Sequence, residues 1–220
     1  MTNKKNSSKL PDSHDESFPR ISELVSIVPF YGIHNGYFEG NSANLKNKVI
    51  TDYGISSCFV KNGRISDTIF RNLDIDDSTF YYTSFERCRF ENVSFRKSDY
   101  VNCTFQDCTI AQGSNLSRAS FDNTNMKNCS FIDSSLNNAD FYRCNLINTI
   151  LSDCSLCLTT ISETKIKNLT TSNLFFSEQA PLKITKLQSN LDQYIETFDN
   201  YTRITNSVDF NKFIKENLES

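Results

Sequence analysis

Eight cysteines and two histidines are the side chains here whose chemistry most often makes a site. A tetrahedral metal site would need paired cysteines at ligand spacing, with a second pair or histidines to complete it. Cys154 and Cys157 make a lone CxxC, and His14 and His34 both stand early in the chain, far from it. That distribution argues against a histidine-centred catalytic site and against a zinc site. A protein without catalytic residues, metal or cofactor is expected. Lys plus Arg number 23 and Asp plus Glu 26, for a net charge of −3. So even a balance does not make a polybasic nucleic-acid surface, and no direct nucleic-acid binding is expected. No run approaches eighteen consecutive apolar residues, so membrane insertion is not expected either.

The cysteines find their explanation in what surrounds them. An apolar residue returns every fifth position from Leu45 to Ile110, and after one extra residue the series resumes at Leu116 and runs to Ile166. All 25 of these positions are apolar in a chain that is 38% hydrophobic. Two residues before each lies a second series of mostly small residues, which holds Cys58, Cys88, Cys103, Cys108, Cys129, Cys144 and Cys154. A period of five is neither the helical 3.6 nor the strand's two. Both series point inward if the chain turns a corner every five residues and closes a square after twenty. Cysteine then acts as a small, readily buried side chain, and Cys157, just past Leu156, faces out. Many free thiols suit a reducing compartment, so a cytoplasmic location is expected.

Segments such as NLSRASFDNTNMKNCSFIDSSLNNADFYRCNL resemble the pentapeptide-repeat proteins, whose pattern is a small residue, Asp or Asn, then Leu or Phe, and two variable positions. The resemblance implies an all-β solenoid, a right-handed quadrilateral β-helix with four pentapeptides per coil. It is strong over 65–166 and weaker at 43–62, where Lys48 and Tyr53 occupy small positions. The domain reading is a disordered polar tail over 1–17, a cap with helical spacing over 18–42 and the β-helix over 43–168. A one-residue bulge falls near Gln112–Gly113, and residues 169–220 form a helical cap or a dimerisation segment.

Repeats that cannot bury their ends need caps. Ile21, Leu24, Val25 and Val28 share one helical side before Pro29. Downstream, Leu187, Leu191, Tyr194, Phe198 and Tyr201 form a helical stripe, which would either fold over the last coil or pair with its equivalent in a homodimer. A shorter helix is predicted from about 208, with Phe210, Phe213, Ile214 and Leu218 apolar. Recognition must lie on outward positions, where Tyr81, Tyr82, Val101 and Tyr142 make the clearest cluster. The expected function is a non-enzymatic protein-interaction scaffold, in a bacterial regulator or an effector delivered into a host cell, with a protein partner whose identity the sequence does not reveal. The resemblance also implies an alternative, DNA-mimicking protection of gyrase or another topoisomerase. The near-neutral repeat surface disfavours it.

Overall fold

The computed structural model describes residues 30–34, 37–41, 44–51, 56–188, 194–195, 202–204 and 206–218. Within the repeats the backbone turns a corner at every fifth residue, and the corner residue takes a left-handed conformation, with φ between 47° and 62° wherever it is not glycine. An ordinary L-residue resists that region, whereas Asn and Asp tolerate it through local hydrogen bonds. Among the described residues, sixteen of the 25 such corners are Asn or Asp, including Asn72, Asn92, Asn128 and Asp153. The corners thus account for much of the chain's asparagine content.

The corners make a right-handed square coil whose four faces each repeat every twenty residues. Leu45, Ile65, Phe85 and Phe105 stack on the first face in parallel register. Ile50, Phe70, Phe90, Ile110 and Phe131 stack on the second. The third, with Ile75, Phe95, Leu116 and Leu136 inside, is tied by single parallel bridges from Ser94 through Asn115, Ser135 and Ser155 to Phe175. The fourth stacks Val60, Phe80, Tyr100, Phe121, Phe141 and Ile161. Aromatic rings lie nearly parallel along a column and edge-on between faces. The Phe80 and Tyr100 centroids are 5.1 Å apart at 3°, while Phe90 meets Phe95 at 5.2 Å and 71°. Both geometries suit the ring quadrupole.

The small series bridges successive coils. Cys103 Sγ donates to the Phe80 carbonyl one coil back at 3.3 Å and also reaches the Val101 carbonyl at 3.6 Å. Thr164 Oγ1 does the same to Phe141 and Ser162, at 3.1 and 2.9 Å. A short side chain with a polar hydrogen ties coils together from this slot, while Leu73, Val93, Ala119 and Ala139 fill it by packing alone. Gly63 occupies it where a Cβ would come within 2.9 Å of Thr83 Cγ2.

At the bulge two consecutive residues are left-handed, Gln112 at φ 57° and Gly113 at φ 77°. The second favours glycine for that reason. The inserted residue lengthens the coil from twenty to twenty-one, so Phe105 pairs with Met126 and Tyr100 with Phe121.

The solenoid extends at both ends beyond the regular pattern. Thr170–Ser172 adds a seventh rung to the second face, with Thr171 opposite Leu151. Here sizes are exchanged: Leu169 and Leu174, in the slots of the small series, are buried, while Thr171 stands where an apolar residue is expected. Near the start, Tyr37–Asn41 lies parallel to Cys58–Lys61 and pairs antiparallel with Phe30–His34. The described part of the N-terminal cap is therefore a hairpin, and the helical spacing of Ile21, Leu24, Val25 and Val28 lies outside the described residues.

The downstream helical stripe is corrected. Leu182–Gln188 is a strand that continues the fourth face, with Ile184 opposite Ile161, and it pairs antiparallel with Tyr194–Ile195 and Thr202–Ile204. Leu187 and Tyr194 are thus strand residues, while Leu191, Phe198 and Tyr201 lie outside the described residues. The physical reason is the open edge of Thr160–Lys167, whose backbone groups need partners. Lys183 N donates to the Thr159 carbonyl at 2.9 Å as part of that closure. The predicted shorter helix is present as α1, Ser207–Leu218. Asn206 caps it by accepting from Asp209 N at 2.9 Å. Phe210 is wholly buried, edge-on to Phe176 at 6.4 Å, and Asn211 hydrogen-bonds Thr171. This helix folds back over the last coil.

Candidate partner-binding face

On each strand of the fourth face the central residue points inward, and its two neighbours point out. Tyr81 and Val101 are direct parallel partners, Asp122 stands above Val101, and Tyr142 above Asp122. Three of the four expected recognition residues therefore share one column, interrupted by a carboxylate. Tyr82 sits at the adjoining corner with φ 49°, donates its backbone N–H to the Val101 carbonyl at 3.0 Å and exposes 58% of its surface. Tyr81 and Tyr142 are half-buried. Phe59 belongs to the same face, its ring centroid 5.5 Å from that of Tyr81.

The opposite outward column runs Thr79, Asp99, Ser120, Asp140 and Thr160. Asp99 and Asp140 are exposed, yet partial desolvation against the coil raises their pKa, and for Asp140 the nearby Asp122 adds to the rise. Beyond them, the Arg143 guanidinium lies 4.4 Å from the Tyr142 ring centroid and pairs with Glu163 at 3.1 Å. Size marks the tyrosines in the sequence but not these carboxylates, which occupy the same outward offsets, one before or one after each core residue.

Eight copies of the repeat are recognised by the family model for pentapeptide repeats, over residues 114–153 and 139–170. Residues 114–170 are pentapeptide repeats. Among solved structures the chain is similar to the pentapeptide-repeat protein Rfr23 from the cyanobacterium Cyanothece 51142, at 16% identity over 62% of this chain and 89% of that one, with a TM-score of 0.35. It is also similar to QnrB1, a plasmid-mediated fluoroquinolone resistance protein, at 12% identity over 64% and 92% of the two chains, with a TM-score of 0.26. A third is HetL from Nostoc sp. strain PCC 7120, involved in heterocyst differentiation regulation, at 10% identity over 71% and 91%, with a TM-score of 0.20. No curated protein matches the chain.

The cysteines of this chain are free, seven of them buried and Cys157 half-buried. Cys88, Cys108 and Cys129 stack on successive coils beneath Phe90, Ile110 and Phe131, as their spacing requires. They interact along the column. The bond with Cys108, then burial, raises the Cys88 pKa, and the bond to Cys129 holds Cys108 up at about 12. Cys129 is lowered because a thiolate there accepts from Cys108. Burial pushes Cys144 to about 12, with Asp122 and Asp140 adding to the rise, and pushes Cys103 to about 11. Among the described residues no three His, Cys, Asp or Glu side chains are arranged to hold a metal ion.

The second face carries a charge cluster that the sequence did not reveal. Glu91 occupies an outward slot yet is only 5% exposed, because two arginines close over it. Arg71 Nε donates to Oε2 at 2.8 Å, while Arg89 donates to Oε1 through Nε at 3.1 Å and Nη2 at 2.8 Å. Its carboxylate is saturated by its own chain, so this cluster knits neighbouring coils together.

Proposed function

We propose that this chain is a non-enzymatic interaction scaffold whose fourth face is the partner surface. One observation carries the reading: Tyr81, Val101 and Tyr142 share an outward column, with the exposed Tyr82 beside it. Tyrosine supplies apolar area and a hydrogen bond at low entropic cost, which is why it concentrates at interfaces. The rigid solenoid holds these rings in fixed register, so little ordering accompanies binding. Buried free thiols support residence in the cytoplasm, where thiols stay reduced. The DNA-mimicry alternative has weak support, because Tyr81, Val101 and Tyr142 interrupt the carboxylates of this face where a mimic of phosphate backbone would place charge.

The test is partner capture with the intact protein and with a variant carrying Tyr81→Ser, Tyr82→Ser and Tyr142→Ser. The expected outcome is loss of the captured protein with unchanged thermal unfolding, since outward rings can carry interface energy without supporting the coil interior. Equal capture by both proteins would remove this face from consideration.

A further inference from the structure

Asp99, Asp122 and Asp140 stand on three consecutive rungs of the fourth face and alternate between its two outward columns. Rungs of a parallel sheet lie ~4.8 Å apart, so the three carboxylates fall within about 10 Å along the face. None of the three forms a salt bridge among the described residues, in contrast to Asp67, Asp76, Asp77 and Glu91, each paired with an arginine or lysine. Tyr81 and Val101 flank them on one side and Tyr142 on the other.

The same face already holds one guanidinium. Arg143 rests over Tyr142 at 4.4 Å, pairs with Glu163 and lies in the field of Asp122. A ring with carboxylates beside it suits a guanidinium, which stacks on aromatic faces and donates in a planar fork to carboxylates. At the Tyr81, Tyr82 and Asp99 end, Lys61 stands one rung below Tyr81 in the same outward column, and no salt bridge among the described residues engages Asp99.

We propose that the fourth face receives an extended, arginine-bearing segment of a partner protein, its guanidinium groups paired with Asp99, Asp122 and Asp140 and stacked on Tyr81 and Tyr82. This rests on the reading of that face as the partner surface and adds the chemistry of what docks there. Geometry supports it independently: Asp99 and Asp140 are both exposed on outward positions, so an arriving cation can reach them.

The experiment uses the full chain and fluorescein-labelled twelve-residue peptides, (Arg-Gly-Ser)₄ and (Glu-Gly-Ser)₄, read by fluorescence anisotropy at low and physiological salt. The arginine peptide is expected to bind, more weakly as salt rises, and the glutamate peptide not to bind. Asp99→Asn with Asp140→Asn should weaken arginine-peptide binding by about tenfold, the equivalent of ~1.4 kcal/mol. The paired substitutions Asp133→Asn and Asp153→Asn, at left-handed corners away from the fourth face, should leave it unchanged. Thermal unfolding of the Asp99/Asp140 variant should be unchanged or raised, since ionised carboxylates with raised pKa values oppose folding near neutral pH. A loss of thermal stability would mark them as structural and overturn the proposal. So would absence of arginine-peptide binding, or equal weakening in both paired variants. If captured partner still depends on the tyrosines while the arginine peptide fails to bind, this inference falls and the partner-face reading stands. If both fail, both fall.

Discussion

The Asn148 side-chain amide donates to the Asn128 side-chain carbonyl at 2.9 Å, twenty residues back in sequence and one coil below, and both residues are left-handed at their corners. Asn128 in turn donates to Asp107 at 2.7 Å, and Asn168 to Asn148 at 2.8 Å, so a single corner is laced over four coils. Each asparagine meets two needs there, a backbone region that other residues resist and a hydrogen bond between coils. Asn128→Ala should therefore cost about 1–2 kcal/mol, and Asn128→Gly less, because glycine relieves the backbone but not the lost bond. Chemical denaturation of both variants measures the split, and equal losses would show that the side-chain ladder alone matters.

Phe90 is buried, with its ring stacked on Phe70 at 4.9 Å and edge-on to Phe85 at 5.8 Å. Phe90→Ala should remove about 3–5 kcal/mol and cost the protein its protease resistance, since the coils above and below share that ring. Unchanged proteolysis and thermal unfolding would contradict the central place assigned to this column.

The thiols should divide sharply in reactivity. Cys157 should react with a maleimide in the native state, and the seven buried thiols only on unfolding. Cys108→Ala should be mild, at about 1 kcal/mol for the lost bonds to the Phe85 and Gln106 carbonyls. Cys108→Asp should be severe, because it buries an unpaired charge. Rapid native labelling of Cys88, Cys108 and Cys129 together would refute the packing role.

Glu91 makes stability depend on acid. Hydrogen bonds from Arg71 hold its pKa below the ordinary glutamate value of 4.5, with those from Arg89 adding to the effect. Its contribution is fully present above that value and is lost as pH falls through the lower folded-state pKa. Glu91→Gln should destabilise the protein by about 1–3 kcal/mol near neutral pH. The gap from the parent should narrow below about pH 4.5, as the parent loses what the variant never had. Urea unfolding across that range measures it, and a gap independent of pH would rule out the carboxylate as its source.

Removing residues 181–220 would uncover the edge of Thr160–Lys167, the last coil and the ring of Phe176, now covered by Leu182–Gln188 and α1. The 1–180 chain should self-associate at micromolar concentration in sedimentation, because an open parallel edge pairs with whatever strand it meets. A stable monomer would show that the last coil closes its own edge.

Much of this architecture was legible from one offset. The apolar residue every five positions, with a small one two places earlier, was enough to place Phe70, Phe90, Ile110 and Phe131 in one column and the cysteines inside. It also located the bulge at Gln112–Gly113, since a single added residue breaks a strict period. This is local information: each pentapeptide makes its own corner, and the corner dictates which side chain turns in. The ends were decided by tertiary structure. Leu187 and Tyr194 fit a helical stripe by spacing, but the unpaired backbone edge of Thr160–Lys167 drew Leu182–Gln188 into a strand. The candidate face was legible in its tyrosines alone. That Asp99, Asp122 and Asp140 gather beside them follows from coils brought together across gaps of twenty residues, and only the stacking of those coils reveals which carboxylates lie beside a ring with no salt bridge among the described residues and which, like Glu91, their own arginines already hold.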